Sequence, residues 1–346
     1  MKKQFYLSAV LLLLVISTNY FAQEKPVTDL APKFNGDVRT WYDNDFQKNK
    51  SNFTVKNARI LVTGNASEIV SYKFLFDVAA VAGKLTLKTK DSTKYLTDAV
   101  ADMPNLINDA YVTITPITKL AFSLGQFKTP FGTENITSTN SLAFSNRALM
   151  AGKVTPELYD IGFMTSYALP VSIPVDVIAA AYNGTGQNKT DDDRSTNYAF
   201  RTVVKPIPDL NISANYAGGR IAGNKVGILG LGAGYKCSAL TLALEYADRK
   251  TDLATTINAV SYFAYATYDF ATGNDIVRFI TPAVRYESYD PDNKIDKNNI
   301  NKITAGLTFS FAKLTYAHVR INYEKFDNAD GTPNPDRMIA EFQIRF

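Results

Sequence analysis

The sequence predicts an all-β protein, a sixteen-stranded antiparallel transmembrane β-barrel. Three observations predict it: an N-terminal export signal, sixteen segments of strict two-residue periodicity, and connections that alternate between short and long.

The export signal comes first. MKK supplies a positive start, and AVLLLLVIS is an apolar run too short to cross a bilayer as a helix. Cleavage is expected near FAQE, after Ala22 or Gln23. The expected division is therefore a signal peptide over 1–23 and a single barrel domain over 24–346. No cysteine follows the apolar run, so no lipid anchor is expected there.

The segments follow at 33–43, 52–64, 68–79, 105–115, 118–127, 158–168, 172–183, 195–205, 209–217, 226–236, 239–248, 258–270, 275–289, 300–311, 314–326 and 335–346. Most hold about 9–13 residues, the length a tilted membrane strand needs and twice the usual soluble strand. Seven connections are short, such as TPIT at 115–118 and CSA at 237–239. Eight are read as long and polar: 44–51, 80–104, 128–157, 184–194, 218–225, 249–257, 290–299 and 327–334. An even-stranded barrel with both termini on one side sorts its loops this way.

Each segment carries one greasy and one polar face, because side chains alternate across a strand. In 314–326, Ala317, Val319, Ile321 and Tyr323 oppose His318, Arg320, Asn322 and Glu324. In 68–79, Tyr72, Phe74 and Phe76 oppose Ser71, Lys73 and Asp77. The final seven residues, AEFQIRF, keep the pattern to the end: Phe342, Ile344 and Phe346 against Glu341, Gln343 and Arg345. Lipid tolerates no open β-edge, so this last strand is expected to close against the first. Alternation alone fits a soluble sandwich equally well. Segment length, loop sorting, and 20 tyrosines against one tryptophan favour the membrane, where tyrosine suits the interface. Arg278 fits awkwardly, since it shares parity with Ile276 and Ile280.

Composition excludes several classes. Cys237 and His318 are the only cysteine and histidine, which rules out an internal disulfide and a Cys/His metal cluster. No metal and no cofactor is expected. The net charge of +4 falls to +2 once Lys2 and Lys3 leave, and gives no case for nucleic acid. No G-x-S-x-G elbow occurs, so catalysis is not expected. GILGLGAG, 227–234, lacks the lysine and helix of a phosphate loop. Its glycines are read as a smooth wall against which another element packs.

The stretch 105–149, with DAYV, GQFKTPFG and NRAL, resembles the phosphate-selective porin O and P family. FTVKNARILVTG (53–64) and YKFLFDV (72–78) resemble its early strands, and the likeness is good over about 52–168. The resemblance implies an outer-membrane porin of a Gram-negative bacterium. It implies a passive, water-filled diffusion channel for small polar solutes or anions such as phosphate, seated in outer-membrane lipid as a homotrimer. It also implies that the third long loop, 128–157, folds inward. The aromatic C-terminus resembles the signal read by outer-membrane assembly machinery.

In that loop, Lys128 and Arg147 are expected to make a basic side of the constriction, with Glu134 opposing and Lys153 nearby. Arg39, Arg59, Lys73, Lys119, Arg285, Arg320, Arg337 and Arg345 fall on the polar parity as lumen-wall residues. Acidic neighbours Asp77, Asp109, Glu245, Glu324 and Glu341 stand ready to pair with them. An alternative from another class stays open: a barrel whose long loops serve as a surface receptor or adhesin.

Overall fold

A computed structural model describes residues 30–80, 87–88, 100–101, 105–190, 195–312, 316–332 and 334–346. The expected signal peptide lies outside these residues.

Sixteen antiparallel strands form one closed sheet. They are β1 Lys33–Asp45, β2 Lys50–Asn65, β3 Val70–Asp77, β4 Ile107–Ile117, β5 Leu120–Lys128, β6 Tyr159–Ala168, β7 Val175–Tyr182 and β8 Asn197–Val204. The second half is β9 Leu210–Ile221, β10 Asn224–Cys237, β11 Leu240–Asp252, β12 Thr256–Tyr268, β13 Phe279–Asp290, β14 Ile300–Ser310, β15 Ala317–Asn328 and β16 Arg337–Arg345. Each pairs with its sequence neighbours, and a two-residue strand, Phe270–Ala271, joins the sheet beside β13. Leu87–Lys88 and Val100–Ala101 pair with each other outside the barrel.

The first and last strands close the sheet as expected. β1 and β16 run antiparallel from Asp37 opposite Arg345 to Asp45 opposite Arg337. Beyond them Gly36 and Phe346 exchange backbone hydrogen bonds of 2.7 and 3.0 Å. An added Cβ on Gly36 would meet the Phe346 ring at 2.6 Å, so glycine is what lets the final residue lie there.

The burial pattern is inside-out. On β16, Phe342 and Ile344 are exposed while Glu341 and Gln343 are almost wholly buried. On β15, Ile321 and Tyr323 are exposed while His318, Arg320, Asn322 and Glu324 are buried. A soluble sandwich would bury the apolar set. Here that set faces outward, as the wall of a membrane barrel requires, and the polar set faces the interior.

Three connections expected to be long are tight. β1 meets β2 over 46–49, β9 meets β10 over Ala222 and Gly223, and β11 meets β12 over 253–255. Ala222 and Gly223 both have positive φ, 49° and 78°, as a two-residue hairpin turn requires. The strands simply continue past their apolar stretch: Arg249, Lys250 and Thr251 still pair with Ala259, Asn258 and Ile257. Strand ends that reach water need no greasy face, so alternation stops before pairing does.

Two charged residues also resolve. Arg278 lies before β13, exposed, with its N–H on the Ser310 carbonyl at 2.8 Å, so it precedes the strand whose outward parity it seemed to break. Lys119 sits exposed in the two-residue turn between β4 and β5 with φ 74°, so it is not on the strand wall.

Candidate functional site

The segment between β5 and β6, residues 129–158, holds three of the four residues expected at a constriction, and Lys128 ends the strand before it. Pro130 and Gly132 turn the chain as β5 ends, and Thr133–Ile136 makes a single helical turn. Along its length this segment bonds to interior-facing residues of the strands. Arg39 donates to the Ser145 carbonyl at 2.9 Å, and Asn322 accepts from the Ser145 N–H at 2.8 Å. Arg320 donates to the Leu142 carbonyl at 3.0 Å, and Gln343 to the Asn140 carbonyl at 2.8 Å. Glu287 accepts from Leu149 N–H at 2.5 Å, and Glu245 from the N–H groups of Thr133 and Glu134 at 2.7 Å each.

Lys128 and Arg147 come together. Lys128 Nζ donates to the Ile136 and Thr137 carbonyls at 3.2 and 2.8 Å. Arg147 donates to the same Thr137 carbonyl at 2.6 Å and to the Glu134 carbonyl. Among the described residues neither forms an ion pair with a carboxylate. Burial lowers the pKa of Arg147, yet a guanidinium stays charged at neutral pH.

The Glu134 carboxylate turns elsewhere. It accepts from the Ala148 N–H at 2.6 Å and from Arg285 at 3.2 Å. Its charge is thus spent on the segment and on β13. Lys153 stands with its ammonium 4.5 Å from the Tyr289 ring centroid; burial and the Lys302 charge lower its pKa.

The wall residues are mostly paired. Arg59 makes a two-oxygen contact with Asp37 at 2.8–3.1 Å. Lys73 meets Asp109 at 2.8 Å, and Arg337 pairs with Asp43. Arg285 binds Glu287 at 2.8 Å. Glu341 is the hub of the closure seam, accepting from Arg39, from Arg320 at 2.9 Å, from Trp41 Nε1 at 2.8 Å and contacting His318 at 3.3 Å. Arg345 lies over the Tyr316 ring at 5.0 Å.

Sequence reasoning passed over Arg201 and Lys302. Lys302 bridges Glu287 and Glu324 at 3.0 and 3.5 Å. Arg201 donates to Asn215 at 2.6 Å. Arg201 shares parity with Ser195, Asn197 and Lys205, opposite Tyr198 and Phe200, so the alternation of its strand could have found it.

Two cavities adjoin the segment. One, of about 320 Å³, takes in Arg59, Lys73, Lys128, Arg345, Asp37 and Asp109. The other, of about 460 Å³, takes in Arg147, Lys153, Lys302, Arg337, Glu157 and Glu324.

A closed antiparallel barrel with a greasy exterior and a charged interior defines an outer-membrane β-barrel channel. The sequence profile described as phosphate-selective porin O and P matches residues 32–210, and the chain belongs to that family of outer-membrane porins. Comparison with functionally curated proteins returns no match. The barrel is similar to the outer-membrane-expressed OmpT of Vibrio cholerae, with 13% identity, a TM-score of 0.62, and coverage of 92% of this chain and 99% of that one. It is similar to the outer-membrane channel DcaP of Acinetobacter baumannii, with 12% identity, a TM-score of 0.60, and coverage of 91% and 97%. OmpF of Salmonella typhi, in complex with daunomycin, gives 12% identity, a TM-score of 0.60, and coverage of 91% and 97%. At these identities the likeness is one of fold.

Proposed function

We propose that this porin is a passive, water-filled channel for small hydrophilic solutes that favours small anions. Residues 129–158 fold into its bore as the constriction, and Lys128 and Arg147 form the constriction's basic side. The observation that carries this is the shared Thr137 carbonyl. One cavity takes in Lys128 and the other Arg147, and the two side chains stand back to back between them.

The cavity charges lean the same way. In the first, Arg59 and Lys73 pair with Asp37 and Asp109, and Lys128 has no carboxylate partner among the described residues. In the second, Lys302 and Arg337 are paired with Glu287, Glu324 and Asp43, and Arg147 has no carboxylate partner among the described residues. A unit charge about 4 Å from a passing ion contributes about 1 kcal/mol even in bulk water. Two uncompensated cations therefore suffice for a marked preference without a tight binding site. The paired wall charges cancel locally and act as scaffold. On this reading residues 1–23 direct export and the barrel assembles as a homotrimer, which cross-linking in intact membranes tests.

Liposome swelling tests the channel itself. Vesicles holding the purified protein should swell in isotonic small sugars, at rates that fall as the sugar grows. Vesicles that never swell would favour a receptor or adhesin with a closed interior.

A further inference from the structure

The start of the 129–158 segment is seated on four consecutive strands. The Phe131 ring, 1% exposed, lies over Gly230 of β10, where an added Cβ would come within 2.6 Å of its Cζ. The Gly132 N–H donates to Asn215 of β9 at 3.2 Å. Arg201 of β8 donates to Thr133 Oγ1 at 2.9 Å. Glu245 of β11 takes the next two N–H groups.

Behind this seat the contact is apolar. Phe131, Met150 and Val154 join one buried cluster with interior-facing residues of β7 to β12. The wall there sets small side chains, Ala180, Ala199, Ala217, Ala247 and Ala259 besides Gly230, among the larger Tyr182, Val226, Ile228 and Phe263. Small residues let a second layer of chain approach the sheet closely, and a dry interface of this kind excludes solvated ions. The opposite wall differs. Arg59, Lys73 and Asp109, on β2 to β4, face the cavity of about 320 Å³.

We propose that Phe131 seated on Gly230 is a latch that seals the β7–β12 half of the bore, so that solutes pass only on the side of β14–β16 and β1–β4, where the two cavities lie. The pore is one-sided. Its width is set by how deeply the segment sinks into the alanine shelf, and bulk added there would push the segment toward the conducting side. This rests on the inward-folded reading of residues 129–158.

Cysteine accessibility in the full chain tests it, with the exposed native Cys237 replaced by serine. Lys73→Cys and Ala247→Cys are each reconstituted in planar bilayers and treated with a small charged methanethiosulfonate. Lys73→Cys should react quickly, with a downward step in conductance. Ala247→Cys should react about 100-fold more slowly, because reaction waits on rare local opening. Adding Phe131→Ala should raise conductance and bring Ala247→Cys to the Lys73→Cys rate; Phe131→Leu serves if the alanine variant assembles poorly. Equal labelling of the two cysteines with Phe131 intact overturns the latch, and so does a Phe131 variant that alters neither labelling nor conductance. Differential labelling in vesicles that pass no current would uphold the latch and refute the channel reading, so the two failures are distinguishable.

Discussion

Replacing Glu341 by glutamine removes the carboxylate that Arg39 and Arg320 share at the seam between β1 and β16. The side chains of Glu341 and Arg39 are almost wholly buried. The arginines keep other partners: Arg39 holds Asn57 at 3.0 Å and the Ser145 carbonyl at 2.9 Å, while Arg320 holds Thr308 at 3.2 Å and the Leu142 carbonyl at 3.0 Å. Hydrogen bonds are therefore largely kept, and the loss is one of charge compensation. Removing one partner of a buried ion pair costs about 3–5 kcal/mol. Glutamine retains one acceptor oxygen, which points to the lower end, about 3 kcal/mol or a hundredfold in the unfolding equilibrium. The assay is urea unfolding in lipid vesicles, read by tryptophan fluorescence. Trp41 is the sole tryptophan and donates to Glu341 itself, so the probe sits on the perturbed contact. Lys48→Gln is the control, since Lys48 is exposed and its 3.5 Å pair with Asp45 is screened by water. A Glu341→Gln shift no larger than that of the control, with unchanged Trp41 emission, would refute the reasoning.

Deleting Phe346 removes both backbone hydrogen bonds to Gly36 and leaves the start of β1 unpaired beside lipid. The truncated chain should fold into vesicles more slowly, seen as a delayed shift to the heat-modifiable band on gels. Gly132→Val places a Cβ 2.7 Å from Glu245 and forces φ 68° on a branched residue, a strain of about 1–3 kcal/mol. The barrel should still fold, with noisier single-channel current as the segment loosens; a silent, wild-type trace would count against its role. Lys153 carries a lowered pKa, so it should lose its charge at a lower pH than an ordinary lysine. Anion preference should fall as pH rises through that lowered value and flatten in Lys153→Gln. Between the lowered folded value and the ordinary one the unfolded chain binds more protons, so this group makes stability rise with pH across that window.

The barrel was legible because lipid imposes a rule on every strand. Outward residues must be greasy and the sheet must close, so Phe342, Ile344 and Phe346 announced both the face and the seam. Turns at the water side obey no such rule. The polar run 218–225 reads as a long loop, yet Ala222 and Gly223 alone make the turn. The site was half legible. GQFKTPFG marked where the chain leaves β5, and GILGLGAG marked a wall that something approaches, which Phe131 does at Gly230. What stayed hidden was pairing at a distance. Nothing local links Glu341 to Arg39, 302 residues away, or Glu245 to the N–H of Thr133, 112 residues away. Those contacts arise only once the sheet has closed. Glu134 shows the same limit: in sequence it is a plausible counter-charge, and in the fold Arg285 claims it.

The most direct test is the reversal potential of single channels under a potassium chloride gradient, for the native chain and for Lys128→Glu. The native channel should conduct ohmically, with a reversal potential displaced toward that of chloride, and the variant should move it toward that of potassium. A chain that passes no current, or a potential that Lys128→Glu leaves in place, would contradict the account.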